Sequence, residues 1–217
     1  MLAGIKKSAV IFDMDGVLFD TESFYYNRRK DFLNDRGITI DHLPPAFFIG
    51  GNMKQVWQAI LGDDYVKWDV KMLQNDYNAY KASHPLPYQE LIFPDVKEVL
   101  KALKERHISM AVASSSTMAD IQLALSVTGL TNYFDFMLSG DDFLESKPDP
   151  AIYLEATRRL ELPKEEVIVV EDSTKGIQAG ISAGLEVLAI RDERFGLDQS
   201  LATEKITNLK DLLSKLG

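Results

Sequence analysis

Two acidic residues separated by one position, Asp13 and Asp15, provide the clearest chemical signal in this sequence. They follow the apolar run 9–12, which is typical of a β-strand, and Gly16 comes directly after them. Because side chains alternate between the faces of a strand, both carboxylates can point the same way from its carboxyl end. Two carboxylates this close together are expected to hold a cation or a shared proton. The spacing therefore predicts a chemical site, although Asp is also a common turn residue.

Three further groups of polar residues lie after strand-like segments or before helical ones. They are the serine run 114–116, Lys147 within Ser146-Lys147-Pro148-Asp149-Pro150, and the pair Glu171-Asp172. Taken singly, a serine after a strand is commonly a helix cap, and most lysines lie solvated on the surface. In parallel α/β sheets, however, the carboxyl ends of the strands lie at one edge, where ligands bind. Because all of these groups lie near predicted strand ends or in the loops beyond them, we expect them to share one functional crevice.

Hydrophobic periodicity predicts an α/β fold from about residue 91 onward, because strand-like and helix-like segments alternate there. The predicted strands are 9–12, 109–113, 134–138, 167–170 and 186–190, and the later helices are 118–128, 150–160 and 176–183. Such alternation implies right-handed crossovers and a parallel, doubly wound (Rossmann-like) sheet with helices on both faces. The almost unbroken apolar character of the strands agrees with this arrangement.

About seventy residues after the first strand contain no convincing strand pattern, and they are interpreted as a helical insertion. Helices are predicted at 21–36, 53–61 and 66–81, with Asp20-Thr21 capping the first. The segment leaves through the turn-rich His84-Pro85-Leu86-Pro87. We therefore predict a core domain of residues 1–19 and 88–217 and a cap domain of residues 20–87.

Composition excludes several classes of function. A net charge of −9 argues against nucleic acid as a partner, because such binding depends on clustered Lys and Arg. The absence of cysteine excludes disulfides, thiol nucleophiles and cysteine-ligated zinc. No apolar run approaches the ~20 residues of a membrane span, and no signal peptide is recognisable. We expect a cytoplasmic protein with no membrane partner; a monomer is expected, although the sequence leaves the oligomeric state open.

In order and spacing, the polar groups resemble the four motifs of the haloacid dehalogenase-like superfamily of phosphotransferases. The matching residues are Asp13-x-Asp15, Ser114, Lys147 and Glu171-Asp172. The fuller strings 12–22, 147–150 and 170–173 are similar to the branch that contains β-phosphoglucomutase and small sugar-phosphate phosphatases. The resemblance covers nearly the whole chain. In that branch the helical insertion is a mobile cap over the active site.

The resemblance implies a catalytic role for each acidic residue. Asp13 would attack phosphorus as a covalent nucleophile, and Asp15 would protonate the leaving oxygen and later deprotonate water. The family-matched ligands of Mg²⁺ are Asp13, Asp172 and the backbone carbonyl of Asp15, with Glu171 in or beside this set.

The resemblance also implies how the phosphate is held. Lys147 would balance the charge of the nucleophile and of the transferring phosphate, and Ser114, with Ser115 beside it, would bind phosphate oxygens. In the cap, Asn52 and Lys54 are candidate substrate contacts. The substrate would be a small phosphorylated metabolite, such as a sugar phosphate.

Two functions remain open within the resemblance. The branch mutases carry a histidine on the first cap helix and an arginine in a cap loop, where this sequence has Tyr25 and Met53. A hydrolase is therefore preferred, with a β-phosphoglucomutase-type mutase as the alternative. A response-regulator receiver would also combine acids, a hydroxyl residue and a lysine, but in another order along the chain. A catalytically idle interaction protein would have little reason to keep every charged element of the site.

Other charged and polar residues receive ordinary interpretations. Arg28-Arg29-Lys30 lies on the first predicted cap helix and is interpreted as a solvated face. Gly176, Gly180 and Gly184 recur every four residues and are expected to permit close helix packing, because the spacing of a dinucleotide-binding loop is absent. The three histidines lack metal-ligand spacing, and we expect none of them to be catalytic.

Overall fold

The computed structural model describes residues 5–50 and 53–217, and it contains one six-stranded parallel sheet. The strands are β1 (Ala9–Phe12), β2 (Ser109–Ser114), β3 (Phe136–Ser139), β4 (Val167–Glu171), β5 (Glu186–Ile190) and β6 (Glu204–Ile206). Their order across the sheet is β3-β2-β1-β4-β5-β6. This is the predicted doubly wound α/β fold, with β6 as an edge strand that the sequence analysis missed.

The described residues form eight α-helices, of which the first three belong to the predicted cap. They are α1 (Glu22–Asn34), α2 (Met53–Leu61), α3 (Val70–Ser83), α4 (Tyr88–Leu91), α5 (Val96–Glu105), α6 (Met118–Thr128), α7 (Ala151–Leu160) and α8 (Thr174–Ser182). The third predicted cap helix begins later than expected because Gly62–Lys67 forms a 3₁₀ helix. Asp69 then caps α3 by accepting a hydrogen bond from the backbone N–H of Met72 at 3.0 Å.

Side chains of β1 alternate between two hydrophobic clusters, one on each face of the sheet. Val10 and Phe12 pack in the cluster that includes α5 and α6, whereas Ala9 and Ile11 pack in the cluster that includes α7 and α8. The crossover after β1 therefore runs over one face, and the crossover after β4 runs over the other. The crevice at which they diverge lies beyond the carboxyl ends of β1 and β4, which is where such sheets bind ligands.

A third hydrophobic cluster consists only of residues from the predicted cap. Its centre includes the rings of Phe32 and Tyr77, whose centroids are 5.0 Å apart. Trp57 is also buried there, and its Nε1 donates to Gln74 Oε1 at 2.8 Å. These helices therefore have apolar packing of their own, while the exact domain boundaries remain a prediction.

Candidate active site

The turn after β1 places Asp13 at the switch point of the sheet. The backbone N–H of Asp13 donates to Val170 O at 2.9 Å, so the pairing of β1 with β4 continues to this residue. Gly16 follows with φ +82°, and a Cβ there would approach Asp172 Oδ2 to 2.0 Å. Glycine is required at this turn both by the backbone conformation and by the closeness of the Asp172 carboxylate.

Lys147 is buried at the centre of the site instead of lying on the surface. Its Nζ donates to Asp13 Oδ1 at 2.6 Å and to Glu171 Oε1 at 2.7 Å. Ala113 O at 3.0 Å and the Tyr153 hydroxyl at 2.9 Å also lie within hydrogen-bond distance of Nζ, so its three hydrogens are shared among four acceptors. Burial lowers the pKa of Lys147, but the two carboxylates outweigh this effect and raise it well above its usual value. Lys147 therefore stays protonated, and its positive charge lies next to the Asp13 carboxylate.

Glu171 is surrounded by hydrogen-bond donors. Its Oε1 accepts from the Tyr153 hydroxyl at 2.7 Å, and its Oε2 accepts from the backbone N–H groups of Asp172 and Ser173 at 3.0 and 3.2 Å. Burial opposes ionisation, yet Lys147 and these donors outweigh it and lower the pKa of Glu171. The approach of α8 is close, because a Cβ on Gly176 would lie 1.7 Å from Glu171 Oε1. The expected packing role of Gly176 is thus confirmed, whereas Gly184 lies after the end of α8 with φ +78°, and a Cβ there would come no nearer than 3.5 Å to any described atom beyond its chain neighbours.

The carboxylates of Asp13, Glu171 and Asp172 form a group that could hold a metal ion. One oxygen from each lies within 4.8 Å of the others, and all three residues are buried. Burial raises the pKa of Asp13 to about 8 and raises that of Asp172 well above its usual value. A divalent cation would relieve this crowding of negative charge, and carboxylate oxygens are the ligands that Mg²⁺ prefers. The donor set therefore fits Mg²⁺.

Gln199 holds the main chain at Asp172, and the sequence analysis did not identify it. Its Nε2 donates to Asp172 O at 2.6 Å and to Ile190 O at 2.7 Å. Its Oε1 accepts from the backbone N–H of Asp192 at 3.1 Å. A single glutamine far from the four motifs carries no sequence signal for this role, because the loop after β5 brings it to β4 only in the folded chain.

Asp15 has a different environment from Asp13. Thr21 Oγ1 donates to Asp15 Oδ1 at 2.6 Å, and Ser116 Oγ donates to Asp15 Oδ2 at 2.7 Å. Burial raises the pKa of Asp15 despite these donors. The expectation that the Thr21 side chain caps α1 is wrong, since it makes no capping hydrogen bond. The hydroxyl instead connects the start of α1 to the Asp15 carboxylate.

The serine run lies at the end of β2 as predicted. Ser114 is fully buried, and its Oγ accepts from the backbone N–H of Ser116 at 3.0 Å. Thr117, not Ser114, caps α6 by accepting from the backbone N–H of Asp120 at 3.2 Å. Ser114 and Ser115 both line the cavity that contains Asp13. Their assignment to phosphate oxygens remains a prediction.

One cavity of about 490 Å³ is bounded by the core on one side and by the cap helices on the other. We give the name core wall to seven of the core residues that line it: Asp13, Asp15, Ser114, Ser115, Ser116, Lys147 and Asp172. We call the three cationic residues of α1 and α3 that line it the cap wall: Arg28, Arg29 and Lys81. Glu22 also lines the cavity, and burial, followed by the charges of Asp15 and Asp13, raises its pKa to about 8.

The interpretation of Arg28 and Arg29 as a solvated face is wrong. Only 7% of Arg28 and 8% of Arg29 are exposed, because both side chains turn inward from α1. Lys30 behaves as expected and pairs with Asp41 at 2.6 Å, with 36% of its side chain exposed. The side chains of two adjacent helical residues point in directions about 100° apart around the helix axis. The sequence alone could not show which of these directions in α1 faces the interior.

The cap contacts predicted for Asn52 and Lys54 stay untested. Asn52 lies outside the described residues, and Lys54 falls in α2 but its side chain is not described. Tyr25 lines the cavity, and its hydroxyl is 3.5 Å from Ser116 Oγ. Among the helices that the structure describes, none is both long and apolar enough to cross a membrane.

Comparison with known proteins agrees with this geometry. The model of the haloacid dehalogenase-like hydrolase family matches residues 10–190. A phosphorylated carbohydrates phosphatase from Thermotoga maritima is 33% identical over 180 residues, 82% of each chain, and a phosphoglycolate phosphatase from Aquifex aeolicus is 27% identical over 81% of this chain and 80% of its own. β-Phosphoglucomutase from Clostridium difficile shares the fold, with a TM-score of 0.81 at 24% identity over 95% of this chain and 93% of its own. The chain therefore belongs to the haloacid dehalogenase-like hydrolases and is an enzyme of that family.

Proposed function

We propose that this protein is a Mg²⁺-dependent phosphatase that hydrolyses a small phosphorylated metabolite, a sugar phosphate, through a phosphoaspartate on Asp13. One observation carries the proposal: two carboxylates of one cavity, Asp13 and Asp15, have different partners. Asp13 contacts the ammonium group of Lys147, whereas Asp15 accepts hydrogen bonds from two hydroxyl groups. Titratable groups held in different environments can take the separate roles of nucleophile and proton donor.

Asp13 is assigned the nucleophilic step. Its carboxylate would attack phosphorus, and the oxygen of the leaving alcohol would depart with the electron pair of the broken P–O bond. Lys147 favours the ionised nucleophile, because its ammonium group lies 2.6 Å from Asp13 Oδ1. Ser114 and Ser115 are assigned to the phosphate oxygens, as the family resemblance implies.

Asp15 is assigned the proton transfers. Its raised pKa favours the protonated form from which a general acid must begin. Asp15 would give this proton to the leaving alcohol and then accept one from the water that hydrolyses the phosphoaspartate. Thr21 and Ser116 hold the two carboxyl oxygens, so the side chain keeps one orientation through both transfers.

Asp13 and Asp172 are assigned as Mg²⁺ ligands with the backbone carbonyl of Asp15, and Glu171 adds negative charge beside them. When bound, Mg²⁺ supplies positive charge that favours ionised carboxylates and offsets the charge of the phosphate. Glu171 already receives Lys147, Tyr153 and two backbone N–H groups. Its main task would be to hold Lys147 in place.

A hydrolase is preferred over a mutase because of the cap. Tyr25 occupies the position at which β-phosphoglucomutases carry a histidine, and Met53 occupies that of their cap arginine. A cavity of about 490 Å³ accommodates a small metabolite. The name of the Thermotoga maritima relative, a phosphorylated carbohydrates phosphatase, supports a sugar phosphate as the substrate.

The test is a screen for phosphate release from sugar phosphates, nucleotides and other phosphomonoesters, with Mg²⁺ and with excess chelator. We expect release with Mg²⁺ and none with the chelator. With glucose 1-phosphate and a catalytic amount of glucose bisphosphate, free phosphate should greatly exceed glucose 6-phosphate. Efficient formation of glucose 6-phosphate with little free phosphate would make the protein a mutase, and full activity in chelator would overturn the metal assignment.

A further inference from the structure

Arg28 is a buried cation whose hydrogen-bonding capacity is only partly used. Its Nη1 donates to His84 O at 2.9 Å, and its guanidinium group lies 5.3 Å from the centroid of the Tyr25 ring. Its Nε is buried without a hydrogen-bond partner in the described chain. A buried arginine with an unsatisfied donor opposes folding, so such a residue in a cavity wall is a candidate for ligand binding.

The other cations of the cap wall increase the positive charge around Arg28. Burial lowers the pKa of Arg29, and the neighbouring charge of Arg28 acts in the same direction, while Tyr77 and Glu22 oppose the shift. Burial also lowers the pKa of Lys81. The positive charges of Arg28 and Arg29 lower this pKa further, whereas the carboxylates of Asp120 and Asp141 raise it. Three positive groups from α1 and α3 thus converge on one wall despite their mutual repulsion.

The position of this charge differs from that of the proposed phosphate site. The core wall supplies Lys147 against Asp13, and Lys147 already has four hydrogen-bond acceptors. Arg28 also lines this cavity, but from a helix of the predicted cap, and within the described chain it has no hydrogen bond or ion pair with Asp13 or Lys147. A substrate that fills the cavity would therefore present its transferring phosphate to the core wall and its other end to the cap wall.

We infer that Arg28 binds a second anionic group of the substrate, so that the enzyme prefers phosphomonoesters that also carry a carboxylate or a second phosphate. This inference rests on the proposed phosphatase function. Planar guanidinium groups match both kinds of oxyanion, which can accept two parallel N–H hydrogen bonds. Lys81 and Arg29 strengthen the attraction through their charge.

The experiment compares substrates that differ only in the second group. 6-Phosphogluconate and sorbitol 6-phosphate have the same carbon chain, and only the first carries a carboxylate at C1. Fructose 1,6-bisphosphate and fructose 6-phosphate form the second pair, which tests a second phosphate. We expect kcat/KM for the anionic member of at least one pair to be higher by about tenfold or more, as one charge-assisted hydrogen bond would give.

Variants identify the residue responsible. Arg28→Gln should reduce this preference about tenfold, mainly through KM, while Arg28→Lys should retain part of it. Lys30→Gln is the matched control, since it removes a positive charge from the same helix outside the cavity and should keep the wild-type preference. If Arg28→Gln does not fold, the wild-type ratios and Arg28→Lys still test the inference.

Each outcome separates this inference from the proposed function. Equal kcat/KM for both members of each pair in the wild type would overturn the inference and assign Arg28 to internal support of the cap through His84. A preference that persists in folded Arg28→Gln would also overturn it. Failure to release phosphate from these esters and from p-nitrophenyl phosphate would instead overturn the proposed phosphatase function.

Discussion

The two walls of the cavity differ in how their charged groups are compensated. On the core wall, Lys147 contacts two carboxylates, and Asp15 receives two hydroxyl groups. On the cap wall, Arg28 keeps a buried Nε without a partner in the described residues. The charged groups of the core wall therefore compensate one another, whereas Arg28 of the cap wall has an unused hydrogen-bond donor. This difference suggests that the core determines the chemistry and the cap selects the substrate.

The strongest test of the core wall is Asp13→Asn. The amide keeps the size of the side chain but loses the nucleophilic charge, so we expect turnover to fall by at least about 10⁴-fold. Phosphate release under saturating Mg²⁺ measures the effect. Asp142→Asn is the control, because it makes the same change at an exposed position that does not line the cavity. Near-wild-type turnover of purified Asp13→Asn would eliminate the covalent mechanism.

Asp15→Asn should have the next largest effect on activity. Loss of general acid–base catalysis typically lowers kcat by about 10²–10⁴-fold. The loss should be smaller for a substrate with a good leaving group, such as p-nitrophenyl phosphate, because that phenolate needs less protonation. An equal loss on p-nitrophenyl phosphate and on a sugar phosphate would contradict the role of Asp15 as proton donor.

Lys147→Met tests whether the core wall depends on its buried cation for stability. The substitution leaves Asp13 and Glu171 buried without their shared partner, so we expect the free energy of unfolding to fall by about 3 kcal/mol. Urea unfolding of the metal-free protein measures the change. Lys164→Met is the control, because Lys164 Nζ donates only to a backbone acceptor, Ala183 O at 2.6 Å, and pairs with no described carboxylate. An equal decrease in the free energy of unfolding for Lys147→Met and Lys164→Met would show that the buried ion pairs of Lys147 add no stability beyond that of a backbone hydrogen bond.

The raised pKa of Asp13 predicts a pH dependence of the metal-free protein. Burial moves this pKa from 3.8 to about 8, so the folded state binds a proton more tightly than the unfolded state. The contribution of Asp13 to stability is therefore fully present below about pH 4 and is lost as the pH rises toward 8. Between these limits, the melting temperature of Asp13→Asn in chelator should fall less steeply than that of the wild type. Parallel pH profiles for the two proteins would contradict the prediction.

The smallest predicted effect is a change in KM when the ion pair between Asp20 and Arg194 is removed. Asp20, at the predicted entry to the cap, accepts two hydrogen bonds from Arg194, at 2.7 and 3.0 Å. Exposed ion pairs contribute about 0–1 kcal/mol, so Arg194→Ala should change KM by no more than about fivefold. Arg158→Ala breaks a similar exposed pair with Glu155 within α7 and should leave KM unchanged. Equal KM values for both variants would show that the Asp20–Arg194 pair does not influence the cap.

Local sequence patterns were sufficient to predict the main strands and helices of the core that carries the core wall. β1 and β5 have the predicted bounds, and α6 matches its predicted helix at both ends. The physical reason is that apolar runs and helical periodicity extend over only a few neighbouring residues, so the sequence shows them directly. Asp13 and the Glu171-Asp172 pair could be placed together because parallel strands end at the same edge of a sheet. The functional roles of these residues and the domain boundaries remain predictions.

Only the tertiary structure decided which isolated polar residues turn inward. Tyr153 and Gln199 reach the site from α7 and from the loop after β5, and neither belongs to a motif. Arg28 and Arg29 belong to a charged triplet that favoured a solvated face, yet both are buried. Arg28 donates to His84 O, and the guanidinium group of Arg29 lies 4.4 Å from the centroid of the Phe48 ring. The sequence by itself therefore determined the sheet and the acids at its edge, because those depend on local periodicity. The inward direction of the two arginines depends on contacts with residues distant in the chain, such as His84 and Phe48, and local periodicity does not show these contacts.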